Sequence, residues 1–141
     1  MSWAGKKSIK EHFKSLFHKE QALSSSMSKE RIRSILDKWV ADKSYRLPHR
    51  SVSEAAASIG LASSTLYSYF KADGTDFRSW RTRLRLEDAK NLLLEEPDTP
   101  VSLIGRRVGI LDRSNFSRTF KEYTGLTPEA WRKRHLPLTS K

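Results

Sequence analysis

Residues 101–125 read VSLIGRRVGILDRSNFSRTFKEYTG, a short helix, a glycine turn and a second helix. Thr99-Pro100 just before it is a helix start signal, because proline's fixed φ suits a first turn and its missing N–H costs nothing there. Gly109 tolerates the positive φ of a sharp helix end, and Asp112 is placed to accept the free N–H groups of the next helix. Within that helix Phe116, Phe120 and Tyr123 share one face by the 3.6-residue period and are expected to point inward. Arg113, Ser114, Ser117, Arg118 and Lys121 spread over the opposite face. Gly105 sits inside the preceding helix, where glycine costs roughly 0.5 to 1 kcal/mol relative to alanine, so its presence predicts a close approach of the two helices.

The same plan occurs once before. Val52-Ser53 recur as Val101-Ser102 and Ile59-Gly60 as Val108-Gly109, at an offset of 49 residues. Leu66, Phe70 and Lys71 recur as Phe116, Phe120 and Lys121 at an offset of 50, and Gly74, Trp80 and Arg81 as Gly125, Trp131 and Arg132 at 51. Two one-residue insertions explain the drift of a duplicated unit. The first copy opens with Ser51-Val52-Ser53-Glu54, the pattern of a capping box. Ala55, Ala56 and Ala57 are small enough for tight helix packing, and Gly60 supplies the turn. On the helix that starts near Ser63, Leu66 and Phe70 face inward, while Ser64, Tyr67, Ser68 and Lys71 face outward.

Between the copies, Asp76 to Glu96 reads as one linker helix without Gly or Pro, ended by Pro97. Phe77, Trp80, Leu84, Ala89, Leu92 and Leu93 can anchor it to both copies, and Arg78, Arg81, Arg83 and Arg85 add positive charge to its first half. Ahead of the repeat, Ile32, Ile35, Leu36, Trp39 and Val40 give Ser28 to Tyr45 the spacing of one buried helix face. Trp39, Trp80 and Trp131 stand at helical spacing among apolar residues and read as core anchors. The expected fold is all-α: two helix-turn-helix units joined by a long linker helix, about seven helices in all. The first unit covers about 51–74, the linker helix 76–96, the second unit 100–125 and a final helix 128–135.

Residues 1–27 carry a further stripe, Ile9, Phe13, Leu16, Phe17 and Leu23, backed by Lys6, Lys7, Lys10, Lys14 and Lys19. They read either as a basic amphipathic helix for a membrane surface or protein partner, or as a loose, disordered tail or linker. A formal net charge of +11 in 141 residues implies a polyanionic partner, nucleic acid or an anionic membrane. The absence of Cys excludes disulfides, thiolate-bound zinc and a cysteine nucleophile. No apolar run exceeds three residues, which excludes a transmembrane helix or secretory core in this sequence and gives a cytoplasmic, nucleoid-associated expectation. His12, His18, His49 and His135 are scattered, with no metalloprotease, nucleophile-elbow or phosphate-loop motif, so no enzyme, cofactor or metal is expected. The outward face of the second repeat combines phosphate-seeking charge with the forked donors that suit guanine edges.

Val108-Gly109, Ser114, Phe116-Ser117-Arg118-Thr119-Phe120-Lys121, Gly125-Leu126-Thr127-Pro128 and Trp131-Arg132 together resemble the signature of the AraC/XylS family of bacterial transcription regulators, in its C-terminal DNA-binding domain. Leu66, Phe70-Lys71, Gly74, Phe77, Trp80, Arg85-Leu86, Ala89 and Leu92-Leu93 match more loosely. The resemblance covers about residues 28–135. It implies sequence-specific binding of double-stranded promoter DNA in adjacent major grooves, with RNA polymerase as a further partner. The implied base-reading residues are Ser64, Tyr67 and Ser68 in the first unit, and Arg113, Ser114, Asn115, Ser117 and Arg118 in the second. Lys71 and Lys121 complete the DNA-facing set. The sequence departs from the family pattern at Ser68, often arginine there, at Gly105, usually alanine, and at Ile110, where an aromatic is favoured. Nothing in the chain could be the sensor or dimerisation domain that most members carry, so the expectation is a fragment of a longer regulator.

Overall fold

The structure, a computed structural model, describes residues 29–49 and 51–137. The basic segment 1–27 therefore lies outside the described residues. Contacts divide the chain after Lys38. A helix over residues 29–41 (α1) buries Ile32 and Leu36 before that point and Trp39 after it, with Ile35 and Val40 half-buried. It stops earlier than the predicted Tyr45, because Lys43 takes a left-handed φ of 56° and a 3-10 turn follows over Ser44–Arg46.

Six further helices follow: α2 (Val52–Ser58), α3 (Ser63–Lys71), α4 (Phe77–Glu95), α5 (Val101–Arg107), α6 (Arg113–Thr124) and α7 (Pro128–His135). Local chemistry sets their ends. The Ser51 hydroxyl accepts from the Glu54 N–H at 3.1 Å, Asp76 accepts from Ser79 at 2.7 Å, Asp112 from Asn115 at 2.7 Å and Thr127 from Ala130 at 3.2 Å. Gly60 and Gly109 turn the chain with φ of 72° and 102°. The Thr99-Pro100 signal marks the start of α5 at Val101, but no side chain caps it. Pro100 itself takes the cap position without a side-chain bond, and the Thr99 hydroxyl donates instead to Glu96 Oε1 at 3.0 Å.

Two cores share α4. The first is aromatic: Trp39 stacks on Trp80 with ring centroids 5.7 Å apart, and Phe70 and Phe77 pack edge-on or tilted around them. Ala55, Ala56 and Leu66 are fully buried where α2 meets α3, but Ala57 is exposed. The second core joins Leu86, Ala89, Leu92 and Leu93 of α4 to Ile104, Val108, Ile110, Phe116, Phe120 and Trp131. Ile110, one of the departures from the resembled pattern, is buried in this core. A Cβ on Gly105 would lie 2.7 Å from Phe116 Cγ and Cδ2, which explains the glycine: the Phe116 ring occupies the space. Trp39 and Trp131 are buried, as core anchors should be, while Trp80 and Leu84 are half-buried.

Two of the four linker-helix arginines are structural. Arg85 is buried and donates through Nε to the Tyr45 carbonyl at 2.6 Å and through Nη2 to that of Leu47 at 2.7 Å. Burial and the neighbouring Arg81 charge pull its pKa down to about 10, so it stays charged at neutral pH. Arg81 is buried as well and lies 5.5 Å from the Phe77 ring centroid. One turn beyond Arg85, Asp88 accepts from Tyr45 Oη at 2.9 Å and from Arg46 Nη2 at 2.8 Å. Gly109 closes this junction, since a Cβ there would fall 2.7 Å from the Arg46 carbonyl. Residues 45–47 are thus bolted to the linker helix, with Arg46 packed against the turn of the second repeat.

Candidate nucleic-acid interface

On α3, the apolar face of Leu66 and Phe70 is turned into the first core, and Ser64, Tyr67, Ser68 and Lys71 are exposed on the other side. Tyr67 is 60% exposed, and Lys71 Nζ lies 5.4 Å from its ring centroid, one turn away, so the pair forms a flat aromatic surface edged by a cation. Ser63 is tied back to α2 by a 2.7 Å hydroxyl contact with Ser53.

On α6, Phe116 and Phe120 are fully buried, while Arg113, Ser114, Asn115, Arg118 and Lys121 are exposed and Ser117 is half-buried. All ten sequence-derived candidates therefore lie on two helix faces, each belonging to the second helix of its pair. Tyr123 corrects the expectation. Instead of facing inward it is 41% exposed, and its hydroxyl donates to Glu87 Oε2 at 2.6 Å beside Lys90. That bond, followed by the contribution of Lys90, holds the Glu87 carboxyl below its ordinary range. The side-chain carbonyl of Asn115 accepts both from Arg118 Nη2 and from the Thr119 hydroxyl, so Asn115 orients the neighbouring guanidinium. Sequence reasoning missed this link, although the i, i+3 spacing was its signal.

Both faces depend on α4, which packs against α3, α5, α6 and α7. Its C-terminal end is secured by Arg132, which donates to the carbonyls of Leu93 at 3.0 Å and Glu96 at 3.2 Å. Among the described residues no group of His, Cys, Asp or Glu could hold a metal ion, and no helix is long and apolar enough to cross a membrane.

Two short helix pairs, each with a glycine turn and an outward-facing polar second helix, define a helix-turn-helix protein. A family model described as a helix-turn-helix domain matches residues 49–134. The chain belongs to the AraC/XylS family of DNA-binding transcription regulators. It is 36% identical over 90 residues to the transcriptional activator NphR of Rhodococcus, a match covering 64% of this chain and 27% of that protein. It is 37% identical over 82 residues to the arabinose operon regulatory protein of Escherichia coli K12, covering 57% and 28%. The chain thus spans less than a third of the length of these relatives. Among solved structures, the C-terminal domain of the response regulator yesN from Fusobacterium nucleatum superposes with a TM-score of 0.63 at 27% identity, over 72% of this chain and 98% of that one. The DNA-binding domain of AdpA, solved with a target DNA, has the same fold, with a TM-score of 0.62 at 17% identity over 73% and 90%.

Proposed function

We propose that this chain regulates transcription by binding a two-part promoter site, inserting α3 and α6 into successive major-groove segments on one side of the duplex. The observation that carries this reading is the placement of the ten polar residues on the outward faces of two helices attached to one linker helix. Ser64, Tyr67 and Ser68 read bases in one box, and Arg113, Ser114, Ser117 and Arg118 in the other. Asn115 contributes at the same box by holding Arg118. Lys71 and Lys121 neutralise phosphates. The protein acts by binding, without catalysis, in the cytoplasm at the nucleoid. Family membership, and the greater length of the relatives, of which this chain spans less than a third, support two additional roles: contact with RNA polymerase, and control by a sensor or dimerisation region outside this sequence.

The test is selection of bound fragments from random duplex DNA, followed by footprinting and a salt titration of the selected duplex. With about six phosphates engaged, affinity falls on the order of a thousandfold between 50 and 200 mM salt. A flat titration, or failure to enrich any sequence, would overturn the reading.

A further inference from the structure

The face of α4 that carries Leu86, Ala89 and Leu93 into the second core continues toward its N-terminus as Thr82, Ser79 and Arg78. Where α5 and α6 cover this face it is apolar. Where no helix covers it, it turns polar and basic. Arg78, Ser79 and Arg83 are exposed there and, with Thr82, form one wall of an open groove whose other wall is Thr119, Glu122 and Tyr123 of α6. Arg78 also lines a separate cavity with Ser63 and Tyr67 of α3. One guanidinium therefore borders both recognition helices.

Exposed helix arginines commonly pair with a carboxylate three or four residues away. Here those positions hold Arg81 and Thr82. Arg78 has no hydrogen-bond or salt-bridge partner among the described residues, and the buried Arg81 beside it adds like charge. Arg78 thus brings to the groove a positive charge that no hydrogen bond or salt bridge among the described residues takes up. We propose that it is a phosphate clamp: Arg78, with Arg83 and the Thr82 hydroxyl, grips the DNA backbone that crosses between the two boxes. This rests on the two-box reading above. Two recognition helices in successive major grooves leave a minor groove and its flanking phosphate strands between them, and Arg78, in the first turn of α4, borders residues of both α3 and α6. The Glu122 carboxylate on the facing wall repels phosphate, so the backbone is held to the α4 side.

The experiment uses the 141-residue chain and the duplex recovered by selection in three forms. In one, the phosphates between the boxes are replaced by neutral methylphosphonates; in another, one box is scrambled; the third is the unmodified duplex, on which salt is varied. Arg78→Ala should lower the slope of log affinity against log salt by about 0.9, the share of one phosphate, without altering base preference. Arg78→Lys should restore the slope. Methylphosphonates between the boxes should weaken the wild-type protein several-fold and Arg78→Ala by clearly less, since only Arg83 and Thr82 remain to grip the backbone there. An unchanged slope for Arg78→Ala, or equal losses for both proteins on the neutral backbone, overturns the clamp while the two-box reading stands. If the wild-type protein binds the one-box duplex as tightly as the intact one, the two-box reading fails, and the clamp fails with it.

Discussion

The side-chain carbonyl of Asn115 accepts a hydrogen bond from Arg118 Nη2 at 2.9 Å, on the exposed face of α6. The backbone N–H of the same Asn115 donates to the capping carboxylate of Asp112. Helix start, asparagine and arginine therefore form one chain of bonds that fixes a fork of donors before any ligand arrives, and a donor already fixed loses less rotamer entropy on binding.

If Arg118 makes a bidentate base contact, Arg118→Ala costs about 1 to 3 kcal/mol and relaxes preference at one or two base pairs. Arg113→Ala should behave similarly. Asn115→Ala should disturb the same base pairs as Arg118→Ala but by less, because the guanidinium remains and only its orientation is lost. Ser64→Ala should cost less than either arginine change. Equilibrium binding to a panel of single-base variants of the selected site measures all four. A uniform loss across the panel would make Arg118 a phosphate contact instead.

Gly105 and Phe116 give a stability prediction of unusual sign. In an ordinary helix interior Gly→Ala stabilises by roughly 0.5 to 1 kcal/mol. At Gly105 the added methyl would sit 2.7 Å from a fully buried ring, and overpacking of that kind costs about 1 to 3 kcal/mol. Gly105→Ala should therefore destabilise the protein in urea unfolding, and Phe116→Leu in the same chain should relieve the clash specifically. A stabilised Gly105→Ala variant would show that α5 can shift to make room.

Much of this fold was legible because its punctuation is local. Gly60, Gly109, Ser51, Asp76 and Asp112 announce turns and helix starts through their own backbone preferences, and Leu66, Phe70, Phe116 and Phe120 announce the inward faces through period alone. The junction around Asp88 was not legible. Tyr45 and Arg46 reach it across more than forty residues of sequence, so no local pattern distinguishes a buried Arg85 from the exposed Arg83 two residues away. Tyr123 misled for a related reason. It lies on the same side of α6 as Phe116, but near the helix end, where the core has run out and Glu87 and Lys90 wait on α4. The outward faces could be read, whereas the i, i+3 spacing of Asn115 and Arg118 permits the bond that aims Arg118 but only the rotamers show it made.

Asp88 links stability to pH. Burial pushes its pKa up, but the hydrogen bonds from Arg46 and Tyr45 outweigh that and leave it below the ordinary value. A depressed carboxyl contributes stability that is complete above its unfolded pKa of about 3.9 and is lost as pH falls through the lower, folded value. Glu87 and Glu96 are lowered too and act in the same direction. Asp88→Asn should reduce stability at pH 7 and flatten, without abolishing, its decline between pH 5 and about 2. Urea midpoints across that range test this. A variant with the wild-type acid limb would mean that the pair with Arg46 adds nothing to folding.

The spacing of the two boxes follows from α4. Its 19 residues at about 1.5 Å per residue span about 28 Å, comparable with the roughly 34 to 36 Å between successive major-groove segments on one side of a duplex. Because α3, α5, α6 and α7 all pack on this one helix, it sets both the separation and the phase of the two recognition helices. One chain can then bind an asymmetric pair of boxes without a palindrome. Inserting about half a helical turn of DNA between the boxes should rotate the second out of reach and leave one helix-turn-helix unit bound at much reduced affinity. Leu84→Pro or Leu92→Pro should do comparable damage from the protein side, since proline costs about 3 kcal/mol in a helix interior and kinks it. Leu92→Ala is the control for Leu92, which lies in the second core: it removes packing but keeps the helix straight, so it should lower stability while preserving the preference for the original spacing. Footprints on the spaced duplexes decide the matter, because a single protected groove per chain, or affinity indifferent to spacing, would mean that the second copy of the repeat does something other than read DNA.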